Sequence, residues 1–93
     1  MTRPKTNPGP VDEMAPTIPY LTDYDHKHLI TYLMLLDAVR DGVDREDIIR
    51  EVLQLDPASY PDRAVQTYES HLARARWMSA EGYRQLLKPP KDF

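Results

Sequence analysis

The sequence predicts a small all-α domain of three to four helices. Three observations carry that expectation. Apolar residues recur at three- and four-residue spacing in three successive segments. Gly42, Pro57 and Gly82 stand where those segments stop, and nowhere does an alternating pattern mark a strand. A chain of 93 residues holds one such domain, and a core of that size buries only about 60% of the surface its unfolded chain exposes.

Residues 1–20 contain Pro4, Pro8, Pro10, Pro16 and Pro19 with Gly9. Each proline removes a backbone donor and biases the residue before it away from helix. The segment is expected to be a flexible, extended arm. Met14, Ile18, Tyr20 and Leu21 also fit a docking peptide. The domain proper is expected over residues 21–87, with 88–93 as a tail.

The first helix is expected to start near Asp23, capped by Thr22 or Asp23, with Asp25 against the positive end of the dipole. Asp41-Gly42 closes it. Leu29, Tyr32, Leu33, Leu36 and Val39 form one stripe, widened by Ile30 and Met34, while Tyr24, His28 and Leu35 lie on a second side. Two apolar sides on one helix suggest a central helix wrapped by the others, or else a groove for a partner. A second helix is expected to begin at Asp44 as cap, with Ile48, Ile49, Val52, Leu53 and Leu55 buried, and to stop by Asp56 because Pro57 follows.

Asp56 to Asp62 then reads as a turn of seven residues, longer than the roughly three or four residues of an ordinary helix-turn-helix. The third helix is expected to begin between Tyr60 and Asp62, capped by Ser59 or Asp62, and to end at Gly82. Val65, Tyr68, Leu72, Ala75 and Ser79 form its seam, flanked by Ala64, His71 and Met78. Tyr83 to Leu87 should add a last helical turn that folds Leu86 and Leu87 onto the core.

Twelve Lys and Arg stand against fifteen Asp and Glu, a net charge of -3, the wrong sign for a protein whose affinity comes from neutralising phosphates. From Asp37 to Asp62 eight acids face three arginines. The expected acidic surface comprises Asp44, Glu46, Asp47, Glu51, Asp56, Asp62 and Glu69.

Little points to chemistry. Without cysteine there is no disulfide or thiolate metal site. His26 and His28, two apart, do not share a helix face, which disfavours zinc. Asp23, Asp25 and Asp37 read as a solvated helix start and face, and Tyr68 and Trp77 as packing anchors rather than base-stacking platforms. The expectation is no catalytic residue, no cofactor, no metal, no small-molecule ligand, no membrane span, and a cytoplasmic location.

Four stretches together carry a family resemblance. They are His28-Leu29 with Leu36 through Gly42, Arg45-Glu46 with Ile48, Ala73 through Arg76, and Glu81 through Leu87, whose Gly82-Tyr83-Arg84 is the most specific part. The pattern resembles a helix-turn-helix variant family, once catalogued as a domain of unknown function, found in regulators of conjugative mobile elements in proteobacteria. The resemblance covers residues 21–87. It implies one of two roles. Longer members are transcriptional activators in which this domain binds DNA through a basic surface, and short stand-alone members are quorum-sensing antiactivators.

The chain resembles the second kind, since Asp62 through Leu72 holds one arginine and two acids where the activators carry several arginines. The resemblance implies that the chain binds the amino-terminal domain of an activator and not nucleic acid, with Tyr24, His28 and Leu35 as the contact. The alternative is a small, dimeric DNA-binding regulator using Arg63, Gln66, Ser70, Arg74 and Arg76. A purely structural helical module would do neither.

Overall fold

The computed structural model describes residues 11–87, and within them every regular element is helical. The order is α1 (Asp23–Lys27), α2 (Leu29–Arg40), α3 (Arg45–Glu51), α4 (Pro61–Trp77), a π-helical turn (Met78–Gly82) and α5 (Tyr83–Leu87). The tail at 88–93 and the arm up to residue 10 lie outside the described residues, as do the side chains of Leu86 and Leu87.

α1 starts where the sequence indicates. The Thr22 hydroxyl accepts from the Asp25 amide at 3.1 Å and the Asp25 carboxylate accepts from the Thr22 amide at 2.9 Å, a reciprocal capping box. The expected single first helix is instead two, broken at His28, whose φ of -112° and ψ of 24° depart from helix. The break sits where two polar residues, Asp25 and His28, turn into the interior. α2 closes on Gly42, at φ +77°. The Gly42 amide bonds the Val39 carbonyl at 3.1 Å and the Val43 amide bonds the Ala38 carbonyl at 3.0 Å, the two bonds of a Schellman motif.

α3 is shorter than expected. It ends at Glu51, and Gln54 adopts a left-handed φ of 60° so that the chain doubles back and the Leu55 amide reaches the Ile49 carbonyl. Asp44 occupies the cap position, but its side chain makes no cap hydrogen bond. The connection to α4 therefore spans residues 52–60. Its centre is an Asx turn, in which the Asp56 carboxylate accepts from the Ala58 amide at 2.9 Å and the Ser59 hydroxyl at 2.8 Å. With Ser59 engaged there, α4 starts on Tyr60 as cap with Pro61 in the first turn, and neither Ser59 nor Asp62 caps it.

The main core is Leu35 from α2, Ile48 and Ile49 from α3, Leu53, and Ala64, Tyr68 and Leu72 from α4. A second cluster joins Tyr32, Ala75 and Met78, and Leu36 packs against both. On α4 the buried side includes Thr67, His71 and Arg74, whereas Ser79 of the expected seam is exposed and Val65 half-buried. On α2 the buried side is Thr31, Tyr32 and Leu35. Leu33, Ile30 and Met34 of the expected stripe face outward, so α2 is not a helix wrapped on all sides.

Gly82 does not end the helix. The chain continues through the π turn into α5, and the glycine serves close packing. A Cβ there would lie 2.6 Å from the Trp77 ring and 2.8 Å from the Met78 sulfur. Gly82→Ala is therefore expected to destabilise by about 1–3 kcal/mol through overpacking. Gly42→Ala, whose Cβ would meet nothing, should cost about 1–2 kcal/mol through its backbone angle alone. Thermal melts followed by circular dichroism separate the two. Near-ultraviolet dichroism of Trp77, a readout of side-chain packing, should change only for Gly82→Ala.

Candidate functional site

Arg74 makes four side-chain hydrogen bonds within the described residues. It sits on the inner side of α4, 4% exposed, and its Nε and Nη2 donate to the two oxygens of Asp25 at 3.0 and 2.6 Å. The same guanidinium donates to the Ile18 carbonyl at 2.6 Å and the Tyr20 carbonyl at 2.7 Å, and its Cζ lies 4.0 Å from the centre of the Trp77 ring. Asp25 is 0% exposed and also accepts from the Tyr32 hydroxyl at 2.7 Å. Burial works against the charge on Asp25, yet the hydrogen bonds from Arg74, Tyr32 and Thr22 outweigh it and hold its pKa at about 2. Tyr32 is raised by its burial and by its bond to that carboxylate. Sequence reading placed Asp25 on a solvated helix start and Arg74 among the residues for DNA contact, and both are interior.

Arg74 thereby fixes residues 11–20. The prolines keep this segment out of helix, as expected, but it is a strap packed on the domain and not a free arm. The Asp12 amide donates to the Tyr24 hydroxyl at 2.9 Å and the Ala15 amide to the Ser70 hydroxyl at 3.1 Å, with Ala15 buried. Glu13 pairs with Arg63 at 3.1 Å, beside a cleft of about 420 Å³ that the strap forms with the 52–60 connection and α4. Gln85 of α5 closes the other end, donating to the Pro19 carbonyl and accepting from the Leu21 amide.

Beneath the strap lie two buried histidines. His71 Nδ1 donates to the Thr67 carbonyl at 2.7 Å, which leaves Nε2 to accept from the Tyr24 hydroxyl at 2.5 Å. His28 lies against Tyr24, ring centres 4.3 Å apart and planes tilted by 41°, and its Nδ1 has no hydrogen-bond partner among the described residues. Burial lowers the pKa of both histidines, and for His28 the charge of Lys27 adds to the effect. Among the described residues no group of three or more His, Asp or Glu is arranged to hold a metal ion.

The structure separates the residues that sequence reading grouped as sites. Asp44, Glu46, Asp47, Glu51, Asp56, Asp62 and Glu69 are all exposed. Of the residues named for DNA contact, Gln66 and Arg76 are exposed, Arg63 is paired with Glu13, Ser70 accepts from the strap, and Arg74 is buried. The proposed partner contact is corrected. His28 and Leu35 are 1% and 0% exposed, and Tyr24 is half-buried beneath the strap, so this trio is interior packing and offers little to a partner.

The opposite side of the same helix supplies what that trio does not. Ile30, Leu33 and Met34 are 53%, 57% and 38% exposed and lie one turn apart on a single face of α2. Sequence reading named all three as part of an apolar stripe that either packs in the core or forms a groove for a partner. Tyr68 is core, and Trp77 is half-buried under Arg74, so neither is a free stacking platform. No family model matches the chain, and no curated protein matches it significantly.

Two predictions follow from the interior. Arg74→Ala leaves the Asp25 carboxylate buried without its cation, expected to cost about 3–5 kcal/mol, a large part of the stability of so small a domain; the thermal melt should collapse toward room temperature, with Arg74→Lys intermediate. Acidification should also destabilise. The unfolded chain binds protons at His28 and His71 below about pH 6.5, whereas the fold disfavours them, so stability falls as pH drops through that range. A second loss begins below pH 3.8 and continues toward 2 as Asp25 is protonated. Urea midpoints measured at pH 8, 5.5 and 3 check both steps.

Proposed function

We propose that this protein is an antiactivator, which binds the amino-terminal domain of a transcriptional activator of conjugative-element transfer and silences it without touching DNA. The observation that carries the reading is the exposed Ile30, Leu33 and Met34 face of α2, coupled to a surface poor in free cations where a DNA reader needs them. An apolar face left bare on a domain with so little core is costly unless something covers it.

Charge supports the same conclusion. Phosphate neutralisation supplies most of the affinity of DNA-binding domains, yet along α4 one arginine is neutralised by Glu13 and another is buried against Asp25. The exposed acids of α3, the connection and early α4 would repel a duplex. The strap further occupies Arg63, Ser70 and Arg74, three of the five residues a DNA-reading alternative requires.

The mechanism is replacement in kind. An activator whose own copy of such a domain packs against its amino-terminal domain would accept this chain instead, and the hybrid would lack a cationic surface with which to hold a promoter. To win, the free chain must overcome the effective concentration of a tethered competitor, roughly millimolar for a short linker. That requires either abundance or a better-fitting face.

Two measurements test the proposal. The chain should co-purify with the full activator and with its isolated amino-terminal domain, and Leu33→Glu should abolish capture while leaving the helical dichroism intact. Binding unchanged when that domain is deleted would overturn the replacement mechanism. In fluorescence polarisation at about 150 mM salt, element promoter DNA should show no saturable binding; a tight, saturable isotherm would favour the DNA-binding regulator instead.

A further inference from the structure

We propose that the cleft between the strap, the 52–60 connection and α4 binds a small organic cation, an ammonium or guanidinium group on an apolar stem. Its volume of about 420 Å³ falls within the range of small-ligand pockets. Val11, Leu55 and Ala64 give it apolar walls, and the exposed Tyr60 also lines it. Charge selects the ligand. Asp12, Glu13 and Asp56 line the cleft against a single cation, Arg63, so an excess of negative charge faces an incoming group. Glu13 is engaged with Arg63 at 3.1 Å, which leaves Asp12 and Asp56 without an ion-pair partner among the described residues. Asp56 stays ionised, because the Ser59 hydroxyl and the Ala58 amide bond its carboxylate and hold its pKa below the usual carboxylate range.

Arg63 shows how a cation is held here. Its guanidinium takes the Glu13 carboxylate and lies 5.4 Å from the centre of the Tyr60 ring, so carboxylate and aromatic face act on one positive group. A second feature lies deeper. Thr67 lines the cleft and is 2% exposed; its carbonyl accepts from Ser70 and His71, whereas its hydroxyl makes no hydrogen bond among the described residues. A buried hydroxyl costs free energy until it is paired, and an N–H of the cation supplies that partner. A bound cation would tie the strap to α4. None of these residues belongs to the Ile30, Leu33 and Met34 face, so the inference stands independently of the antiactivator reading.

Phenethylamine and agmatine are the probes, titrated into the isotope-labelled full chain at about 50 mM salt and followed by amide chemical shifts. The shifts should saturate with a dissociation constant on the order of 1 mM and centre on Val11, Asp12, Ser59, Tyr60 and Thr67. Phenylpropionate, an anion of similar size, should cause none of them. Asp12→Asn combined with Asp56→Asn, which keeps the acceptor for the Asx turn, should weaken both amines about tenfold with unchanged helical dichroism. Arg63→Gln should tighten them several-fold by releasing Glu13. A capped Gly-Arg-Gly peptide run beside agmatine distinguishes the source: tighter binding of the peptide assigns the cation to a partner chain, and tighter binding of agmatine assigns it to a free amine. Shifts that never saturate, that spread over the acids of α3, or that phenylpropionate reproduces overturn the site, as does undiminished binding to the double variant. Because no activator is present, none of these outcomes bears on capture of that protein.

Discussion

The ion pair between Arg74 and Asp25 is the constraint from which the rest of the structure follows. Its two partners are 49 positions apart in the chain, and taking both out of water is expensive unless every remaining donor and acceptor is met. Here they are met. Asp25 takes bonds from Arg74, Tyr32 and Thr22, and Arg74 spends its other donors on the carbonyls of Ile18 and Tyr20 while its flat face rests on Trp77. One guanidinium thus ties the strap, α1, α2 and α4 into a single arrangement. An apolar residue at position 74 could bury area, but it could not specify where an extended, proline-rich segment should run.

This interior use of a cation bears directly on function. A helix that would otherwise present Ser70 and Arg74 to solvent has them covered by the strap or drawn inward, and its exposed Arg63 pairs with Glu13. The exposed acids around them have no compensating plate of positive charge. The bare apolar residues fall on the far side of α2, where neither the strap nor α4 covers them. Polar chemistry is thus turned into the fold, and an apolar face is turned out to solvent.

Much of the secondary structure was legible in the sequence. Thr22 with Asp25 marks the start of α1 and Asp41-Gly42 the end of α2, because capping and left-handed backbone are local effects, whereas α3 stops at Glu51, well short of Pro57. Where local signals competed, the outcome differed. Ser59 looked like a cap for α4 but is held by Asp56 in the connection. Gly82 looked like a helix stop but is a point of close approach to Trp77 and Met78, a role that depends on neighbours and leaves no signature of its own.

What the sequence by itself determined is an all-helical domain, its approximate helix boundaries and its acidic surface, since periodicity, caps and charge count are properties of near neighbours. Only the tertiary structure decided which of two apolar sides of α2 faces the core. Periodicity states that such sides exist; it is the buried partnerships of Asp25 with Arg74 and of Tyr24 with His71 that rotate the helix to bury His28 and Leu35 and leave Leu33 outside. Those partnerships join residues far apart in the chain, and a polar side chain read alone carries the signature of solvent until the partner that satisfies it is known.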